Sequence, residues 1–181
     1  MSKTVKLRKG LDIRLVGAAN KVKTESPMPK TVAIRPSDFH GMVPKMVVKE
    51  GEAVTAGKPI FHDKYKPSIK YVSPVTGTLN AVVRGEKRRI LEVVIDVAEN
   101  QNFESGSPID VASMSGDQIK ELMLESGLWP FVRQRPIDVV ADPSRAPKAI
   151  FISAFDSAPL APDFDFVLHG KEKEFQDRKS T

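Results

Sequence analysis

The sequence predicts a mixed fold, a small all-β unit followed by the opening of an α/β unit, on three observations. Turn signals recur about every 8–12 residues between Thr31 and Val97, with short β-branched segments between them. A polar stretch, Asn100 to Pro108, then separates this region from one with a different hydrophobic period. Ser115 and Gln118 stand three apart just before that new period, as a helix-capping pair does. With 181 residues, 40% of them hydrophobic, the chain can bury a core in one ordinary domain or two small ones.

Residues 1–30 read as a basic arm, with one candidate strand from Val5 to Ile13 broken at Gly10, and an extended linker around Pro27 and Pro29. Residues 31–100 hold the β unit. Its strands are Thr31 to Ile34, Met46 to Val48, Pro59 to His62, Lys70 to Val72, Thr78 to Val83 and Arg89 to Val97. Turns fall at Lys49 to Glu52, Ala56-Gly57, Ser73 to Gly77 and Gly85-Glu86. In the last strand, alternation puts Leu91, Val93, Ile95 and Val97 on one face and Glu92 and Asp96 on the other. Val48 to Glu52 faintly echoes Val83 to Glu86, as a two-fold repeated sandwich would.

Residues 108–170 form the second unit. Ser115 caps a helix whose apolar stripe is Ile119, Leu122 and Met123, and Gly127 ends it. An aromatic and basic loop follows, from Leu128 to Pro136. Ala149 to Phe155 is a continuous apolar run, the pattern of a strand buried on both faces, and Phe164 to Leu168 offers a second strand. Residues 171–181 are a polar tail. This second unit looks incomplete for a doubly wound sheet, so the expectation is a fragment or a chain ending in a disordered tail.

Composition removes several functions. With no cysteine there is no disulfide, thiolate zinc site, cysteine-ligated iron–sulfur cluster or cysteine nucleophile in this chain. His40, His62 and His169 are far apart and make no ligand motif, so no metal is expected. No apolar run approaches the roughly 18–20 residues of a membrane-spanning helix, and no signal peptide is visible. Net charge is +5, and residues 1–30 alone contribute eight Lys/Arg against two Asp/Glu, or +6. Such an arm suits an anionic surface or an acidic partner, or simply keeps the protein soluble. It has no aromatic residue for base stacking, so nucleic acid is not an expected partner. Asp156, Asp163 and Asp165 are interrupted by prolines and have no obvious basic partner, and no catalytic constellation emerges.

The most specific pattern joins Gly51 to Ile60 with Val72 to Leu79, glycine turns alternating with apolar positions. It resembles the biotinyl/lipoyl-type barrel-sandwich hybrid with its halves permuted. In carrier proteins of that kind a hairpin presents a modified lysine, and Asp63-Lys64 invites the same reading, although the order of the flanking segments differs. Acylation of Lys64 is therefore the competing reading.

Further motifs follow in register: Lys6 to Asp12, Asp38 to Met46, Phe61 to Lys64, Val72 to Gly77, Val83 to Arg88, Ser126 to Phe131, Arg133 to Pro136 and Ala149 to Ala154. In this order, over nearly the whole chain, they resemble the N-terminal part of the NqrA family, the A subunits of bacterial sodium-pumping NADH:quinone oxidoreductases. The family's usual continuation, a ubiquitin-like module and a helical part, is not seen here, and its early Gly-x-Pro segment reads Gly17-Ala18-Ala19. The resemblance implies a Rossmann-like second domain, other subunits of a membrane complex as partners, and a peripheral place on the cytoplasmic face of the inner membrane. It also implies association with ubiquinone, coupled through the complex to NADH oxidation and sodium transport, with the isolated chain not itself catalytic. Flavin subunits of related complexes place a glycine-rich phosphate loop after the helix. The corresponding Gly127 to Phe131 contains Pro130, which has no N–H, and two bulky rings, so neither FMN nor NAD is expected here. The same loop offers Trp129 and Phe131 as flat apolar faces and Arg133 and Arg135 as donors, a set that suits a quinone headgroup; the competing reading is packing and surface ion pairs. Arg84, Lys87, Arg88 and Arg89 make a basic hairpin tip that suits a neighbouring protein of the complex or an anionic membrane surface, or serves only to blunt aggregation.

Overall fold

The computed structural model describes residues 6, 16–17, 20–104, 110, 113–153, 156, 158 and 161–171. They fall into two compact units, Pro27–Ala146 and one that joins Met1–Ser26 with Pro147–Thr181.

The larger unit is built on two antiparallel sheets. One has the order β1 (Thr31–Ile34), β7 (Ile90–Val97), β6 (Gly77–Arg84), β3 (Ala53–Val54). The other has the order β2 (Pro44–Met46), β4 (Pro59–Asp63), β5 (Lys70–Val72). Ile60, Phe61, Leu79, Val93 and Ile95 are fully buried, with Ile69, Tyr71 and Val54 beside them, so the core takes apolar residues from both sheets. This is the sandwich that the turn spacing predicts, and the strands fall within about two residues of the expected positions.

Two glycines make the turns possible. Gly51 has φ +86, and its N–H donates to the Leu79 carbonyl at 2.7 Å, which ties the first turn to β6. Gly77 lies where a Cβ would sit 2.0 Å from the Asp96 carbonyl oxygen, so β6 and β7 can pair there only through glycine. Gly85, by contrast, has an ordinary extended φ of −99. The echo between the Gly51 and Gly85 segments is therefore one of letters, without a shared backbone conformation.

Alternation along β7 breaks at one residue. The β6–β7 register shifts between the Val83–Glu92 and Arg84–Ile90 pairs, so Leu91 is an extra residue on its strand. Leu91 is exposed, whereas Ile90, Val93 and Ile95 are buried. The expectation that Leu91 faces the core is corrected on this point: the bulge hands its place to Ile90.

The start of the expected linker is fastened to the sandwich. The Gln101 side chain accepts from Thr76 N–H at 2.8 Å and donates to the Ala98 carbonyl at 2.7 Å. Glu104 N–H donates to the Ala56 carbonyl at 2.8 Å. Beyond it, α1 (Gly116–Glu125) begins at the predicted capping box: Ser115 N–H donates to Gln118 Oε1, and Gln118 N–H donates to Ser115 Oγ. The helix ends at Gly127, φ +72, where Leu128 N–H returns to the Met123 carbonyl at 3.0 Å, the six-to-one bond of a Schellman motif. Met123 and Leu124 pack on the sandwich core. Thus α1 and the short hairpin β8 (Arg133–Gln134) and β9 (Val139–Val140) belong to the same compact unit as the sandwich, across the boundary expected near Asn100 to Pro108.

In the smaller unit, the described residues of two expected strands do not form strands. Ile150, Phe151 and Ile152 are 71%, 93% and 76% exposed and lie outside regular structure. Phe164–Leu168 is a short helix, α2, capped by Asp163, whose Oδ1 accepts from Phe166 N–H at 3.1 Å. Lys21 pairs with Asp163 at 2.6 Å and Lys23 sits 5.5 Å over the Phe166 ring, so part of the basic arm covers this helix. The candidate strand from Val5 to Ile13, apart from Lys6, and all but the first residue of the polar tail lie outside the described residues.

Candidate functional site

The aromatic and basic loop forms a corner of the larger unit, where β8 and β9 dock on the loop Asp38 to Gly41. Trp129–Phe131 is one 3-10 turn. Trp129 is buried and its Nε1–H donates to the Ala141 carbonyl at 2.8 Å, while Pro130 is fully buried beside it. Trp129 therefore does not present a free face, which corrects the expectation for that residue; its ring anchors the turn and its polar end is satisfied. Phe131 is the exposed member at 72%.

From Phe131 a row of rings runs inward. Phe131 meets Phe39 edge-on at 6.4 Å, Phe39 meets Tyr71 edge-on at 4.7 Å, and Tyr71 stacks on Phe61 at 4.8 Å. Tyr71 Oη is buried and has no hydrogen-bond partner among the described residues. Burial, and then the Asp63 carboxylate, push its phenol above the ordinary tyrosine range, with Arg133 opposing, so it stays protonated.

Asp138 organises the cations. It closes the β8–β9 turn in the left-handed region, φ 54, which aspartate tolerates better than most residues. Its carboxylate lies 3.6 Å from Arg133, 3.8 Å from Arg135 and 3.8 Å from His40 Nδ1. Arg133 also donates to the Asp38 carbonyl at 3.0 Å. Gly41, at φ +80, approaches Val139 so closely that a Cβ would sit 3.0 Å from its Cγ1. Val140 N–H donates to the His40 carbonyl at 3.3 Å. These contacts place Phe131 and Arg133 on the Asp38–Phe39 segment and tie Arg133 and Arg135 to one carboxylate. They add Asp38, Phe39 and His40, which the sequence offers only as part of the Asp38 to Met46 motif, and Asp138, which it does not single out; an aspartate just before β9, at a hairpin turn, is the one signal that points to Asp138.

A shallow cleft of about 180 Å³ adjoins the corner, lined by Phe39, His40, Met42 and Arg89 among others. It is smaller than the roughly 300–1,000 Å³ of sites that enclose a drug-sized ligand. The backbone N–H groups of the Trp129 turn are committed: Phe131 donates to the Leu128 carbonyl at 3.2 Å and Val132 to the Trp129 carbonyl at 2.9 Å.

The other expected sites lie elsewhere, except that Arg89 also lines this cleft. Arg84, Lys87, Arg88 and Arg89 are all exposed at the β6–β7 tip. Lys64 is exposed where the chain leaves β4, its Nζ 5.7 Å over the Tyr65 ring. Among the described residues, no group of three or more His, Cys, Asp or Glu is placed to hold a metal, and no helix is long and apolar enough to cross a membrane.

Comparison with known proteins agrees with this architecture. Residues 5–98 match the NqrA N-terminal barrel-sandwich hybrid domain, and residues 114–178 match the NqrA second alpha/beta domain. The A subunit of the Na(+)-translocating NADH-quinone reductase of Pseudomonas aeruginosa is 38% identical over 175 residues, 95% of this chain and 39% of that protein. The proteins of the same name from Neisseria meningitidis and Photorhabdus laumondii are 36% and 35% identical, over 95% and 96% of this chain and again 39% of each relative. The chain thus spans about two fifths of the length of these relatives. Two consecutive domain matches in the family's own order, on a sandwich of the matching type, make this chain a member of the NqrA family.

Proposed function

We propose that the chain works within the A subunit of a sodium-translocating NADH:quinone reductase, held peripherally at the cytoplasmic face of the membrane. In this reading it contributes a contact for ubiquinone at Phe131, Arg133 and Arg135. The observation that carries the first part is the match along 95% of the chain to relatives of that name. For the second, support comes from Phe131 and Arg133 docking on the neighbouring residues Phe39 and Asp38, while Arg133 and Arg135 share Asp138, so that an exposed apolar ring and two donors belong to one corner. Trp129 supports the turn from below. NADH oxidation and flavin chemistry are assigned to other subunits. The turn's committed N–H groups leave little to cradle a phosphate, and a chain without cysteine cannot ligate an iron–sulfur cluster through thiolates.

Trp129 is the only tryptophan and lies two residues from Phe131, so its emission reports on the corner without its being the ligand's own contact. Saturable quenching by a short-chain ubiquinone, abolished by Phe131→Ala and weakened by Arg133→Ala, is the expected result. Absence of quenching in folded protein would remove the quinone contact from this chain and leave a scaffold for assembly. The carrier reading is separated by intact mass: an acyl adduct on Lys64 in protein from its native host supports a carrier, and an unmodified mass ends that reading.

A further inference from the structure

We propose that the β6–β7 tip is an electrostatic and apolar anchor that touches anionic phospholipid directly. The hairpin projects beyond its sheet. β1 pairs with β7 only at Val93 to Asp96, and β3 pairs with β6 only at Gly77 and Thr78. From Val83 to Glu92 the two strands therefore continue as a ribbon, and no third strand among the described residues pairs with either edge there.

The end of that ribbon carries Arg84, Lys87, Arg88 and Arg89 against Glu86, four positive charges and one negative within six residues, or +3. All five side chains are exposed, and none of the four cations forms an ion pair among the described residues. Arg35, Lys66 and Arg133, elsewhere in the same unit, each have a carboxylate partner. The tip is also closed in a fixed shape. Gly85 N–H donates to the Arg89 carbonyl at 2.9 Å, and Arg84 Nη1 donates to the Arg88 carbonyl at 3.2 Å. Lys87 and Arg88 both hold positive φ, 53 and 60.

Apolar side chains accompany this charge. Val83 is 40% exposed and the bulge residue Leu91 is 43% exposed, one on each strand at the base of the tip. Cations on long aliphatic stems, with apolar residues just behind them, suit a headgroup layer: the charges stay at the phosphates while stems and apolar residues enter the boundary. The reading stands independently of whether quinone binds at the Phe131 corner.

The test is cosedimentation of the whole chain with vesicles of phosphatidylcholine containing roughly 30% phosphatidylglycerol, compared with pure phosphatidylcholine. Binding to the anionic vesicles alone is expected, weakening as salt rises from about 0.05 to 0.5 M. The variant Lys87→Asn/Arg88→Asn removes two charges while keeping residues that tolerate positive φ. It should lower partitioning roughly twenty-five-fold, about five-fold per cation. Leu91→Ser should lower it several-fold at unchanged charge, and Lys87→Arg/Arg88→Lys should retain it. Circular dichroism and Trp129 emission establish that each variant is folded. Equal binding to neutral vesicles, or no binding, overturns the proposal. So does wild-type binding by Lys87→Asn/Arg88→Asn, which would assign the attraction to the basic residues of the arm. Retention on immobilised polyglutamate without vesicle binding would place an acidic protein surface at the tip instead, and also overturns it.

Discussion

Replacing Gly127 by alanine tests how α1 is joined to the sandwich. Two costs are combined at this position. Its φ of +72 is left-handed, which costs an L-residue about 1–2 kcal/mol. An added Cβ would also stand 2.4 Å from Cγ1 and 2.8 Å from Cγ2 of Val72 in β5, so helix end or strand must move; overpacking of this kind costs about 1–3 kcal/mol. Gly127→Ala should therefore destabilise the larger unit by about 2–5 kcal/mol. Gly51 is the control. Its φ is +86 but nothing lies within 4 Å of an added Cβ, so Gly51→Ala should cost only the backbone part, about 1–2 kcal/mol. Urea unfolding followed by Trp129 emission measures both. Val72→Ala removes the two methyl groups that collide, so the double variant Gly127→Ala/Val72→Ala should recover about 1–2 kcal/mol relative to additivity. If Gly127→Ala costs no more than Gly51→Ala, or if Val72→Ala simply adds its own cost, the close approach of Gly127 to β5 is not what fixes the helix end.

Other perturbations test the interior and the caps. Tyr71→Phe removes a buried hydroxyl with no partner among the described residues, so the unfolding free energy measured in urea should hold or rise, by up to about 1 kcal/mol; a clear loss would mean that Oη is bonded. Ser115→Ala should cost about 1 kcal/mol and lower helix content by circular dichroism, since it removes the hydroxyl that accepts from Gln118 N–H while the Ser115 backbone half of the capping box stays. Asp142 is held below the ordinary carboxylate range by the Ser144 hydroxyl at 2.7 Å, then by Ser144 N–H at 3.0 Å and Lys66 at 3.0 Å. A depressed folded-state value means that its stabilisation is complete above the unfolded value near about 4 and is lost as pH falls below it. The stability gap between wild type and Asp142→Asn should therefore be widest near neutral pH and shrink in acid; a gap that widens in acid would reverse the sign of the argument.

The parts legible in the sequence are those whose causes are local. Ser115 and Gln118 satisfy each other's backbone across three residues, and Gly127 ends the same helix, so one window contains the whole signal. The sandwich strands are similarly bounded by turns a few residues away. Leu91 departs from its expected face because its exposure is decided by register against β6, and a bulge leaves no mark in the alternation of β7 alone. Phe164–Leu168 departs for another reason: five apolar and acidic residues fit strand or helix equally, and Asp163, which caps the helix, is the signal that decides.

The loop at the corner shows where local reading ends. Trp129, Phe131, Arg133 and Arg135 have the same composition whether the rings point outward to a ligand or inward to a core. What separates the two rings is long-range. Trp129 turns in because Ala141 offers a carbonyl to its indole, and Phe131 stays out because Phe39 meets only its edge. Arg133 is oriented by the Asp38 carbonyl, 95 residues earlier in the chain. Asp138 then gathers two guanidinium groups and an imidazole from two segments, which no spacing rule within either segment anticipates. Asp138→Asn should therefore free Arg135 while Arg133 keeps its bond to the Asp38 carbonyl, so a quinone contact carried by both guanidinium groups should weaken about as much in Asp138→Asn as in Arg135→Ala, and unchanged quenching of Trp129 in both variants would remove Arg135 from that contact.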